Sequence, residues 1–289
     1  MSVQNFIPKV WSARLLSHLN KAQVYASELV SNRDYEGEIS QYGDTVHINR
    51  VEDVTIRDYV PNTDIAAPEE LDGSQRSLVI DQMKYFNFAV DDVDRRQGNP
   101  DYMDQAMERA SYGLRDAADR YVASLYTEAD SNNLIGSDAE PVTISEAAMA
   151  YEALVDLAVK LDNANVPQEG RWVVVPPWFH GLMLKDNRFV TYTAQGDATR
   201  ANGQVGEAAG FRILKSNNVP KVAGDGSATF DNEKIIAGYT GAITFAEQIL
   251  KIEAYRPDNR FSDAVKGLYV YGAKVIRPEG IAVLSAVAG

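Results

Sequence analysis

The chain has no cysteine among its 289 residues, which removes disulfides, thiolate nucleophiles and cysteine-bound zinc together. Histidine is nearly as scarce. His18, His47 and His180 stand far apart, with no HExxH or similar spacing to bring two of them to one metal. Positive charge is in deficit: 28 basic against 41 acidic side chains leave a net charge of −13. That sign repels phosphates and argues against a protein that grips nucleic acid, although not against one that encloses it. Long apolar runs are missing too. The opening MSVQNFIPKVWSARLLSHL lacks the basic start and unbroken apolar stretch of a secretory signal, and the closing GIAVLSAVAG suits a strand better than a membrane span. The reading is a soluble protein or a piece of a larger soluble assembly, with no membrane partner. No GxSxG occurs. Asp225, Ser227 and Thr229 begin like a calcium loop, but Phe230 stands where that loop needs glycine.

What is present is the make-up of an ordered protein, 45% apolar and 24% charged, long enough for one large domain or two smaller ones. From Trp11 to Leu29 the apolar residues Leu15, Leu16, Leu19, Ala22, Ala26 and Leu29 recur at helical spacing. Between Gly37 and Ile80 lie nine acidic and three basic residues and few large apolar ones, so the segment adds little to a core. Within it Val46 and Ile48 alternate with polar neighbours as in a half-buried strand, and the segment is expected as a projecting hairpin or a mobile loop.

The longest helix is expected over 99–129, with about 28 helical residues and thus roughly 42 Å at 1.5 Å per residue. Asn99 serves as its cap and Pro100 as its first residue. Met103, Met107, Ala110, Leu114, Ala117, Tyr121 and Leu125 mark its buried side, and Arg115–Asp119 and Asp116–Arg120 are exposed i,i+4 pairs. A second helix is expected to start at a capping box formed by Thr143 and Glu146 and to bury Ala147, Ala150, Leu154, Leu157 and Leu161. RWVVVPP reads as a buried strand stopped by two prolines that can open a short helix. The segment after Asn232 supplies strands, ending in two joined through Arg277–Gly280.

The stretch from Gly203 to Pro220 looks suited to a ligand, but its glycines fit neither the Walker spacing nor the dinucleotide fingerprint, and a strand rather than a helix follows them. No helix N-terminus is offered to an anion, so the glycines are expected to permit tight turns. The same stretch carries a resemblance. Gly203, Gly206, Gly210, Phe211, Ile213, Ser216, Asn217, Asn218, Val219 and Pro220, preceded by RWVVVPP and followed by VYGAKVIRPEGIAVL, make a chain similar to the major capsid proteins of tailed bacteriophages.

The resemblance implies an α+β, HK97-like capsid fold. Residues 1–36 are then an N-terminal arm, 37–82 an extended loop over a neighbouring subunit, 83–141 and 256–289 a peripheral domain built on a long spine helix, and 142–255 an axial domain. It implies a major capsid protein, not an enzyme, that self-assembles as hexamers and pentamers into an icosahedral virion shell around double-stranded DNA, in the cytoplasm of a bacterial host. A separate scaffolding protein, a portal protein and a decoration protein are its implied partners. No cofactor is implied. Tyr42, Val46, Ile48, Val54, Ile56 and Tyr59 are the candidate contacts between subunits. The loop from Gly37 to Ile80 contains no lysine, so the covalent lysine–asparagine link of some family members is not expected. Two other readings compete: a nanocompartment shell of the same fold, and an α/β enzyme with a Tyr- or Asp-based site. Large closed particles on sedimentation separate shell from enzyme.

Overall fold

The computed structural model describes residues 23–35, 43–51, 56, 58, 64, 73–91, 102–186, 188, 206–222, 232–257 and 262–289. The described elements, in chain order, begin with strands β1 (Thr45–Val51), β2 (Gly73–Val79) and β3 (Gln82–Asp91) and helix α1 (Tyr102–Ser124). Strands β4 (Leu134–Ile135) and β5 (Val142–Ile144) precede helix α2 (Ala147–Asn163), strand β6 (Arg171–Val175) and helix α3 (Pro177–Lys185). Then come β7 (Glu207–Ala208), β8 (Phe211–Lys215), β9 (Lys221–Val222) and β10 (Asn232–Tyr239). The long strands β11 (Ile243–Tyr255) and β12 (Ser262–Val275) and the closing β13 (Ile281–Ala288) complete the fold.

Three sheets result. An eight-stranded sheet runs β4-β13-β10-β6-β8-β7, with β5 on β13 and β9 on β10. Its β6 is buried along its whole length, because alternate side chains feed two cores. Val173 and Val175 face α2 and α3, while Trp172 and Val174 join the core that contains α1. The second sheet, β11-β12-β3, gives the odd-numbered Val265, Tyr269 and Tyr271 to the α1 core. Its other face is partly covered by the β1–β2 hairpin, where Val46, Ile48, Leu78 and Ile80 pack on Ala246 and Val270. The hairpin passes so close that a Cβ on Gly272 would stand 2.5 Å from the Val79 carbonyl oxygen, so glycine is required there.

Several expectations change in three dimensions. Residues 23–30 form turns, not the end of a helix: Tyr25, Ala26 and Val30 are buried, and the amides of Val24 and Ala26 are taken by the Asp119 carboxylate. The rest of that helix lies outside the described residues, as do Asn99 and Pro100. α1 has 23 residues, about 35 Å, and tightens into a 3₁₀ turn over Leu125–Glu128. Its buried face is Met107, Leu114, Ala118 and Val122, so Ala117 gives way to Ala118; the side chain of Met103 lies outside those described.

The capping box does not form. Thr143 belongs to β5, paired with Val287, and Glu146 stands at the start of α2 without a side-chain cap; the sheet ladder takes the backbone that a cap would use. The stripe Ala150, Leu154, Leu157 and Leu161 is buried as expected, and Pro176 and Pro177 open α3. The two closing strands do not pair with each other. β12 lies in the three-stranded sheet and β13 in the eight-stranded one, and a 3₁₀ turn at Pro278–Gly280 carries the chain across. β11 thus goes with β12, and β13 with β6 and β10.

Candidate functional site

The stretch Gly203–Pro220 ends where three parts of the chain meet. Gly203 lies outside the described residues. β7 and β8 form a two-residue hairpin, with Ala208 opposite Phe211, and its turn residues Ala209 and Gly210 have φ of 49° and 80°. Positive φ at both is the turn whose twist matches a hairpin, so Gly210 shapes the backbone. Phe211 and Ile213 are buried in the helix-side core.

After β8, Ser216 accepts a hydrogen bond at its Oγ from the Asn218 amide at 3.0 Å, and its own amide reaches the Val175 carbonyl at 3.1 Å. This local turn swings the chain to α1. Asn217 points to solvent, Asn218 is half-buried and Val219 enters the α1 core. The Pro220 carbonyl accepts from the Lys234 amide at 2.9 Å.

At the meeting point sits Asp119 of α1. It was expected in an exposed pair with Arg115; instead it is 3% exposed. Its carboxylate accepts from the amide of Val24 at 3.1 Å and of Ala26 at 3.2 Å, and from the Asn218 side chain. Burial raises its pKa, the three hydrogen bonds pull it back down, and neighbouring Asp116 raises it. Asp116 pairs with Arg120 at 2.9 Å as expected, and the Arg115 guanidinium lies over the Tyr112 ring. The segment so held continues along β11: the Asn32 amide donates to Ile243 at 2.8 Å and its carbonyl accepts from Phe245 at 2.9 Å. Arg33 bonds Glu247 at 2.9 Å and the Ala26 carbonyl at 2.9 Å. Asp119 is the residue that sequence reasoning missed. Nothing in its spacing along α1 marks it, because the groups that need it come from residues 24, 26 and 218.

An open crevice of about 170 Å³ lies beside this junction, lined by Tyr112, Arg115, Asp116, Lys215 and Asn217. A larger open cleft of about 590 Å³ lies between Leu29, Thr240 and the Ala209–Gly210 turn. His47 is exposed on the hairpin and His180 is buried on α3, its pKa lowered by burial and then by Lys215; His18 lies outside the described residues, with Asp225, Ser227 and Thr229. Among the described residues no group of three or more acidic or histidine side chains is placed to hold a metal ion, and no helix is long and apolar enough to cross a membrane.

The sequence profile of the phage capsid protein family matches residues 76–284. The chain belongs to that family. Among solved structures, this capsid protein is similar to a chain of Mycobacterium phage Che8, with 30% identity, a TM-score of 0.72 and 91% of each chain covered. The capsid of Cyanophage P-SCSP1u gives 19% identity and a TM-score of 0.72 over 93% of this chain and 90% of that one. A virus-like particle from Pyrococcus furiosus gives 14% identity and a TM-score of 0.58 over 96% and 99%. No curated protein sequence matches the chain. The fold is the HK97-like α+β capsid fold. The capsid protein is a structural subunit of an icosahedral virion shell and not an enzyme.

Of the residues expected at contacts between subunits, Tyr42, Val54 and Tyr59 lie outside the described residues. Val46 and Ile48 are buried against the capsid protein's own Leu78, Ile80, Ala246 and Val270, since the alternation along β1 turns both toward the three-stranded sheet. Ile56 is 96% exposed.

Proposed function

We propose that this chain builds the hexamers and pentamers of a tailed-phage head that encloses double-stranded DNA, with its two large sheets in different roles. The eight-stranded sheet with α2 and α3 is the axial domain, and the three-stranded sheet with α1 as spine helix is the peripheral domain. Among the described residues the axial part takes in 134–135, 142–144, 147–163, 171–185, 207–222, 232–239 and 281–288, and the peripheral part takes in 82–91, 102–124, 243–255 and 262–275. The single observation behind this reading is that the backbone of one chain crosses between the sheets again and again, with one shared core at the crossing.

The β1–β2 hairpin is the extended loop. Its base is seated on its own subunit through Val46 and Ile48, so contact with a neighbour is assigned to residues 52–72, which carry seven acidic side chains and one basic. The net charge of −13 suits an inner wall that does not grip DNA, since tight phosphate contact would hinder filling and ejection. A separate scaffolding protein and a portal complete the head, assembled in the host cytoplasm, with a decoration protein on the outer surface. The absence of lysine between Gly37 and Ile80 assigns shell strength to packing in place of covalent links.

The test is a deletion of residues 53–71, bridged by Asn-Gly as a tight hairpin turn. Electron microscopy of the wild-type chain is expected to show closed particles. The deletion is expected to leave the same circular dichroism and thermal transition but no closed particles. Normal shells from the deletion variant refute the role given to the hairpin tip.

A further inference from the structure

A ring of identical subunits places one surface of each copy against a different surface of the next. The two surfaces must therefore stand at opposite edges of the same part of the chain and be complementary. The eight-stranded sheet has such edges. α2 covers the β13 side of the sheet. Its outward side leaves Met149, Val155 and Val159 at 38%, 37% and 49% exposure, with exposed Glu152 and Asp156 between them. The spacings of three and four put these five residues along one stripe of the helix, acidic and apolar together.

At the other side of the sheet, three strands away from β13 in the order β13-β10-β6-β8, β8 exposes Arg212 and Lys215. Lys215 shares its face with Phe211 and Ile213, which are buried under the helices, so it stands in the same layer as α2. It is near enough to His180 of α3 to shift that group's titration. Glu207 faces Arg212 across the β7–β8 ladder, so the strand edge keeps a net positive charge. None of Glu152, Asp156, Arg212 and Lys215 takes part in an ion pair among the described residues.

We propose that the outer stripe of α2 in one subunit docks on the β8 edge of the next copy of this chain, with Glu152 and Asp156 against Lys215 and with Val155 and Val159 packed beneath them; Arg212, on the opposite face of β8 with Leu214, stays outside the contact. The inference rests on the ring-forming role proposed above. The apolar residues supply the area and the unpaired charges set register and direction around the ring.

The absence of cysteine makes the contact directly testable in the full chain. Val155→Cys with Lys215→Cys, oxidised after assembly, is expected to give a ladder of covalent species that ends at five and six chains on a non-reducing gel. Each single-cysteine variant is expected to stay monomeric there. A second test reverses charge: Glu152→Lys with Asp156→Lys is expected to lower the assembled fraction about tenfold. Adding Lys215→Glu is expected to restore it, and adding Arg212→Glu in its place is not.

Particles that form from the double-cysteine variant without any disulfide between subunits overturn the docking. So do charge-reversed variants that assemble as wild type, or a reversal completed by Lys215→Glu that stays unassembled while remaining folded. A wild-type chain that forms no rings or particles under the same conditions overturns the shell role instead, and this inference with it.

Discussion

Replacing Asp119 with alanine tests the junction that ties residues 23–35 to α1. The carboxylate serves two backbone amides, of Val24 and Ala26, and the Asn218 side chain, all at the edge of the main core. Alanine leaves the two amides without an acceptor. Each buried unsatisfied donor costs about 1–3 kcal/mol, and removing a desolvated carboxylate returns part of that sum, so a net loss of about 3 kcal/mol is expected. With an unfolding entropy of about 2.1 cal/mol/K per residue, a chain of this length loses roughly 5 °C in Tm. The more local reading is hydrogen exchange: the Val24 and Ala26 amides are expected to exchange about 100-fold faster while the amides of β6 and β10 stay protected.

Asn at 119 keeps one carbonyl for one amide and turns its own NH₂ toward the other, so its loss is expected at about half that of alanine. Burial holds the Asp119 pKa above the ordinary aspartate value, so the native state binds the proton more readily than the unfolded one. Its contribution to stability is then full below the unfolded value and is lost as pH rises through the folded value. Acidification is therefore expected to move the gap between wild type and Asp119→Asn in favour of wild type. Unchanged exchange at Val24 and Ala26 in Asp119→Ala would refute the reasoning, because those amides would then be held by something other than this carboxylate.

The turn at Ala209–Gly210 makes an opposite pair of predictions. Ala209→Asn or Ala209→Gly suits the positive φ there and is expected to stabilise by about 0.5–1 kcal/mol, whereas Gly210→Val is expected to cost more than about 1 kcal/mol. Chemical denaturation reads both. Leu114 is 6% exposed in the α1 core, so Leu114→Asp buries an unpaired charge and is expected to abolish the folded near-UV circular dichroism signal; a native spectrum would place position 114 at the surface.

The local patterns that carried over are those in which one neighbour suffices. The stripe of α2, the run Arg171–Val175 and the proline pair at the start of α3 follow from side-chain period and backbone restriction alone. So did the glycine turn, once the phosphate-loop spacings had failed. The failures share a cause. Thr143 looked like a cap until β13 claimed its backbone, residues 23–29 looked helical until core and carboxylate took up their side chains and amides, and Asp119 looked like a solvated member of an ion pair.

The sequence by itself determined that no disulfide or cysteine-based chemistry is available, that the surface is acidic, where the main helices and buried strands run, and, through the motif from Gly203 to Pro220, to which family the chain is similar. Each of these depends on composition or on residues within a few turns of one another. Only the tertiary structure decided that β12 and β13 part into different sheets, that Val46 and Ile48 are spent on the chain's own core, and that a carboxylate on α1 holds backbone amides 95 and 93 residues away. Pairing partners, and the burial of a charge among them, are properties of distant segments brought together, and no local period records which segment arrives.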